Sequence, residues 1–186
     1  MNALKAPGVK FGLISGLVYS IIITLIFSGG INSFQGWGRY MPLITTVTFA
    51  LLAGFSERKL NGGYITFGRA VLVMGTVFII SELMFNITEV LLYNVVDPDL
   101  HNKVKAYMVE KTAETIDLFS GAISYKQDQI DEIMDAVRDA DYRMNMYNAG
   151  SRFIVYSILD FVIAVILAII VRREPKSSNS LDHDIT

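Results

Sequence analysis

The run from Phe11 to Gly38 contains no Asp, Glu, Lys or Arg, and its densest part reads FGLISGLVYSIIITLIF. At about 1.5 Å per residue, some twenty helical residues cross a hydrocarbon layer about 30 Å thick, so Phe11 to Ser28 is long enough to span a bilayer. Three further apolar runs follow. They are Tyr40 to Phe55, Gly68 to Val96, and Phe153 to Val171, the last interrupted only by Asp160. Charged residues make up only 18% of the chain, against about 25% in soluble proteins. The sequence therefore predicts an all-α integral membrane protein with a four-helix bundle of spans. Tyr40 to Phe55 is short for a span and is expected to borrow from its flanks or to thin the bilayer.

Lys5 and Lys10 precede the first run as they would in a secretory signal, but the apolar part is too long for one and no A-x-A site follows. The run is expected to be retained. Lys and Arg collect beside the expected span ends, with Lys5 and Lys10 before the first and Arg58, Lys59 and Arg69 between the second and third. Arg172, Arg173 and Lys176 follow the fourth, whereas the first connection carries only Arg39. By the positive-inside rule both termini are expected in the cytoplasm. The layout is then residues 1–96 for three spans with short loops, 97–152 outside the membrane, 153–173 for span four, and 174–186 for a disordered cytoplasmic tail.

The outer segment, Asp97 to Arg152, holds eleven Asp or Glu and seven Lys or Arg. One helical stripe runs through Leu100, Val104, Met108, Thr115, Leu118 and Phe119, and another through Ile130, Ile133, Met134, Val137 and Tyr142. Gly121 as a C-cap and Ser124 as an N-cap separate them, and Pro98 suits the start of the first. An amphipathic two-helix hairpin between spans three and four is predicted. Its stripes either pack on each other or dock another protein, and Tyr147 and Phe153 are expected at the membrane interface.

Inside span three, Glu82, Asn86 and Glu89 share one helical face. Counting inward from Val96 and from Phe153 puts Glu89 and Asp160 at one depth, about 10 Å in. Such residues are costly in lipid and should turn inward, where Thr24, Thr45 and Thr46 are candidates to line the same cluster. Arg39 and Arg152, at the outer interface, are placed to snorkel towards the acids. The cluster has two readings. Its members either hydrogen-bond across helices and hold the bundle in register, or line an outward-open cavity for protons, cations or a polar ligand.

Between spans two and three, Asn61, Gly62 and Gly63 predict a tight turn, with Thr66 capping the next helix and Tyr64 and Phe67 at headgroup level. Arg58, Lys59 and Arg69 beside that turn also offer a contact for a lipid phosphate. The stretch NGGYITFGRA, Asn61 to Ala70, together with the four-run layout and the acidic insert, resembles the family called domain of unknown function 4199. The likeness extends from about Lys10 to Arg173. That resemblance implies a small integral protein of the inner membrane of Bacteroidota bacteria and brings no activity with it.

The absence of cysteine removes disulfides and thiolate metal sites, and the net charge of −2 argues against a nucleic-acid partner. His101 and His183 fall on opposite sides of the expected membrane, and no nucleophile or phosphate-loop motif is present, so no enzyme activity and no cofactor are expected. The sequence favours a non-catalytic accessory or scaffold subunit that presents an acidic hairpin to the periplasm, among lipids and beside another membrane protein or its own copies. The alternative is a small proton- or cation-coupled transport or ligand-binding protein using Glu82, Glu89 and Asp160.

Overall fold

The computed structural model describes residues 6–36, 38, 40–120 and 126–174. The described residues are almost entirely helical: α1 Pro7–Ser28, α2 Ile31–Gln35, α3 Met41–Leu60, α4 Phe67–Leu91, α5 Leu100–Ser120, α6 Gln127–Asp139 and α7 Met146–Val171. A π-helical turn, Leu92–Val96, prolongs α4. By length and composition α1, α4 with its π turn, and α7 are able to cross a membrane. Helix α3 has similar length but ends in Glu57, Arg58 and Lys59.

Helix α4 lies at the centre and touches α1, α3 and α7. Its contact with α1 rests on Gly8, Gly12 and Gly16, one helical turn apart on a single face. A Cβ at Gly8 would stand 2.8 Å from the Val73 carbonyl oxygen, and one at Gly12 would stand 3.0 Å from Ile80 Cβ. Small residues at such spacing let two backbones approach closely in lipid, where helices gain little from the hydrophobic effect. The partners ascend together, from Val73 through Ile80 to Met84, so α1 and α4 run parallel. Polar contacts continue the seam: Ser81 Oγ donates to the Gly12 carbonyl at 3.3 Å, and the Ser20 and Thr88 hydroxyls lie 2.8 Å apart.

At one end of the bundle α3, α4 and α7 close on small side chains, with Ala50, Ala53, Ala70, Ala164 and Ala168 all fully buried. Ile65 and Arg173 exchange backbone hydrogen bonds of 2.9 and 3.0 Å, tying the α3–α4 turn to the end of α7. Lys10, Arg58, Lys59, Arg69, Arg172 and Arg173 gather at this end. At the other end Phe34, Tyr93, Leu100, Val104 and Met144 form a second core, which seats α5 on the bundle. The long helices turn apolar side chains outward, among them Ile21, Leu52, Ile79 and Ile158, as lipid-facing surfaces do.

Several expectations need correction. Helix α7 begins at Met146, capped by the Asn145 side chain on Asn148 N at 2.8 Å, rather than at Phe153. Arg152 therefore lies within that helix, in its second turn. Helices α5 and α6 touch, but Leu118 and Phe119 are exposed and α6 buries no residue. The predicted caps Gly121 and Ser124, the snorkelling Arg39 and all but the first residue of the tail lie outside the described residues.

Gly12→Leu should lower the thermal midpoint of the detergent-solubilised protein, since overpacking costs about 1–3 kcal/mol. By contrast, a Cβ at Gly75 meets open space, so Gly75→Ala should leave the midpoint unchanged or raise it, because alanine favours the helix by about 0.5–1 kcal/mol.

Candidate functional site

A cavity of about 440 Å³ opens in the half of the bundle beyond the small-residue core, lined by α1, α3, α4 and α7 and roofed by α5 and residues 141–144. Its size falls in the range of small-molecule sites, about 300–1,000 Å³. Helices α3 and α7 meet where Gly54 admits Val171, and farther along they form opposite walls of the cavity. Leu43 on one wall and Tyr156 and Leu159 on the other are exposed, so the gap between these helices reaches the apolar outer surface of the bundle.

Glu82, Glu89 and Asp160 all line the cavity. Asn86 does not. It is buried on α4, where its Nδ2 donates to the Glu82 carboxylate at 2.8 Å and to the Glu82 carbonyl at 3.0 Å. Of the three threonines, Thr46 is buried and lines the cavity; Thr24 is exposed and bonds back to the Ser20 carbonyl at 2.7 Å; Thr45 lies outside the lining.

The expected pairing of depths also changes. Glu89 meets Arg152, whose Nη1 stands 2.9 Å from Glu89 Oε2. Because α4 and α7 run in opposite directions, that contact sets the register and places Asp160, two turns deeper on α7, level with Glu82, two turns deeper on α4. Glu89 and Asp160 are thus not at one depth. The physical reason is that counting from Phe153 overlooks the two helical turns, from Met146, that precede it in α7. Arg152 reaches its partner from a position near the helix start and also lies 5.8 Å from the Tyr156 ring centroid.

The cavity mouth is held by a second ion pair. Arg143 Nε donates to Asp141 Oδ1 at 2.9 Å, and Asn148 Nδ2 donates to the Arg143 carbonyl at 2.7 Å. The Arg143 side chain, then its backbone N–H, hold the Asp141 carboxyl down at about 2. Asn94 Nδ2 donates to the Met144 carbonyl at 2.9 Å and anchors this strap to the end of α4. The inner wall carries Tyr19, buried and edge-on to Phe85 with ring centroids 4.8 Å apart.

The turn at the opposite end is a different kind of structure. Gly62 and Gly63 take φ of 69° and 91°, a region that suits glycine. The amides of Gly62, Gly63 and Tyr64 all donate within the turn, and that of Ile65 to Arg173. Arg58 Nε donates to the Gly63 carbonyl at 3.1 Å, Arg69 Nη2 pairs with the buried Glu57 at 2.8 Å, and Asn61 Nδ2 donates to the Glu57 carbonyl at 2.9 Å. The amides from Asn61 to Ile65 are thus all engaged within the protein. Its basic residues Arg58 and Arg69 brace the turn itself, Lys59 is exposed, and Thr66 caps α4 by accepting from Arg69 N at 3.4 Å. Glu57, a buried acid that organises this end, escaped the sequence reading although its spacing to Asn61 by one helical turn was visible.

With this geometry in view, the profile of the family described as "Protein of unknown function (DUF4199)" matches residues 10–173. The chain belongs to the DUF4199 family. The matched range takes in both bundle ends, the cavity, and helices α5 and α6. No curated protein and no solved structure matches the chain. Within this DUF4199 protein, no group of three or more His, Asp or Glu stands ready to hold a metal ion among the described residues. Its cavity instead offers separated carboxylates, the guanidinium groups of Arg143 and Arg152, and aromatic walls, a set suited to binding a polar or cationic molecule.

Arg152→Ala removes the cation beside a buried carboxylate and should destabilise the protein by about 1–3 kcal/mol in thermal unfolding. Adding Glu89→Gln should recover part of that loss, as a double-mutant cycle will show. At the mouth, NMR titration of Asp141 should find a midpoint near 2, and Arg143→Gln should move it up towards 3.8. Since the folded value is depressed, the stabilisation from this pair is present above the ordinary carboxylate range and is lost as pH falls towards 2.

Proposed function

We propose that this protein is a four-span protein of the bacterial inner membrane, with both termini in the cytoplasm, that takes up a small polar ligand or cation into a cavity facing the periplasm. The observation that carries this reading is the convergence of Glu82, Glu89 and Asp160, from two helices, on one cavity of about 440 Å³. Intramembrane ionisable groups are costly, and gathering three of them around open space is the arrangement of a binding or conducting site rather than of helix glue alone. The basic residues at the small-residue end support the orientation, since Lys and Arg favour the cytoplasmic face. Helix α3 serves as the remaining span. Its charge-free part, Met41 to Ser56, is about 24 Å long, and the Arg58 and Lys59 that follow sit at the interface.

A second reading, an accessory subunit with no catalytic role, draws on α6. Its apolar stripe Ile130, Ile133, Met134 and Val137 is not buried by the chain itself, which suits a helix that meets a partner.

The chain lacks cysteine, so single cysteines introduced at Lys59 and at Asp139 should be labelled from opposite sides of the membrane in intact spheroplasts. For function, gentle extraction followed by native mass spectrometry should find a small molecule that stays with the wild-type chain and is lost from Glu82→Gln. A heteromeric complex that survives Glu82→Gln but is lost on removal of residues 100–140 would favour the accessory subunit instead.

A further inference from the structure

The four acids of the cavity are not alike. Glu89 has Arg152, and Asp141 has Arg143. Glu82 accepts from the neutral Asn86, and neither Glu82 nor Asp160 forms an ion pair among the described residues. The register of α4 and α7 places these two acids on facing helices at the deep end of the cavity. Across from them on α3 is Thr46, only 7% exposed. Thr24, Thr48, Thr76 and Thr88 bond back to a carbonyl of their own helix. Thr46 makes no such bond and, among the described residues, has no hydrogen-bond partner, so its hydroxyl is free for whatever occupies the space.

Size and chemistry narrow the occupant. About 440 Å³ is far more than a bare inorganic ion fills, and the acids do not gather around one point as metal ligands would. The walls beside Glu82 and Asp160 are rings and aliphatic chains: Tyr19, Phe85, Tyr156, Leu159 and Ile163. Carboxylates and π faces together select a cation carried on an apolar body. The gap between α3 and α7 gives that body a way out to the lipid.

Resting on the reading of the cavity as a ligand site, we infer that it binds an organic ammonium ion. The charged nitrogen lies between Glu82 and Asp160 and donates to the Thr46 hydroxyl, and the apolar body lies against Tyr19, Phe85 and Tyr156. A free amine and the primary ammonium headgroup of a lipid share this chemistry.

The test uses the full chain in nanodiscs of phosphatidylglycerol, a lipid without nitrogen, and reads the thermal midpoint. Phenethylammonium should raise the midpoint saturably, as a ligand of the folded state does, whereas its neutral counterpart 2-phenylethanol should not. Glu82→Gln with Asp160→Asn should weaken the ammonium effect at least about tenfold, and Asp139→Asn, on exposed α6, should leave it intact. Discs containing phosphatidylethanolamine separate the two sources. A raised midpoint that phenethylammonium cannot raise further assigns the headgroup, and an unchanged response assigns a free amine. Equal stabilisation by the neutral alcohol overturns the inference, as does an ammonium effect that persists in the double variant. If sodium alone stabilises the wild type and the double variant abolishes that, the ammonium inference fails while the cavity reading stands. If no probe shifts the wild type and no small molecule is retained on extraction, both fail.

Discussion

The close approach of α1 to α4 fixes the rest of the molecule. In lipid, side chains gain little by leaving their solvent, so two helices stay together through contact at short range and through hydrogen bonds. Gly8, Gly12 and Gly16 supply the first, and Ser81 and the Ser20–Thr88 pair the second. This seam occupies the face of α4 that bears Val77, Ile80, Met84 and Thr88. The adjoining face, with Glu82 and Glu89, is thereby turned towards α7 and the cavity rather than towards lipid. Were α1 farther away, α4 could rotate and the acids would lose their interior position.

Charge is matched locally at both ends of the bundle. The buried Glu57 is paired with Arg69, and the buried Glu89 with Arg152. In each case the arginine is the more exposed member and belongs to the first two turns of a different helix from its carboxylate. A long side chain rooted near a helix start reaches inward while its own backbone stays near the interface. That arrangement stabilises an acid inside the bundle without burying a cation outright. It works only within the reach of one arginine side chain, which leaves the deepest acids, Glu82 and Asp160, without such a partner.

Much of this was legible in the sequence. The charge-free runs located the long helices, NGG and Thr66 gave the turn and its cap, and the i, i+4, i+7 spacing put Glu82, Asn86 and Glu89 on one stripe. The register of α7 was not legible from hydropathy, because that measure starts a helix at the first apolar residue, whereas the hydrogen-bonded helix starts at its cap. Asn145, eight residues before Phe153, was the local signal, and overlooking it paired Asp160 with Glu89 instead of Glu82. The glycine stripe of α1 was visible as a four-residue spacing, but only its partner reveals why a side chain there is excluded. Nor does periodicity say which stripe finds a partner. Leu100 and Val104 are buried on α5, while Leu118 on the same stripe is 80% exposed, because the bundle below α5 ends before reaching it.

The two hydrogen bonds between Ile65 and Arg173 staple the α3–α4 turn to the end of α7 and bear on more than local order. A pair of rods joined at one end has a single easy deformation, a pivot about the joint. Displacement then grows with distance from the staple, so a small angular change is almost unfelt at Gly54 and largest where Leu43 faces Tyr156. The mechanical compliance of the protein is concentrated where its cavity lies, and the stapled end of the bundle is held against the same motion.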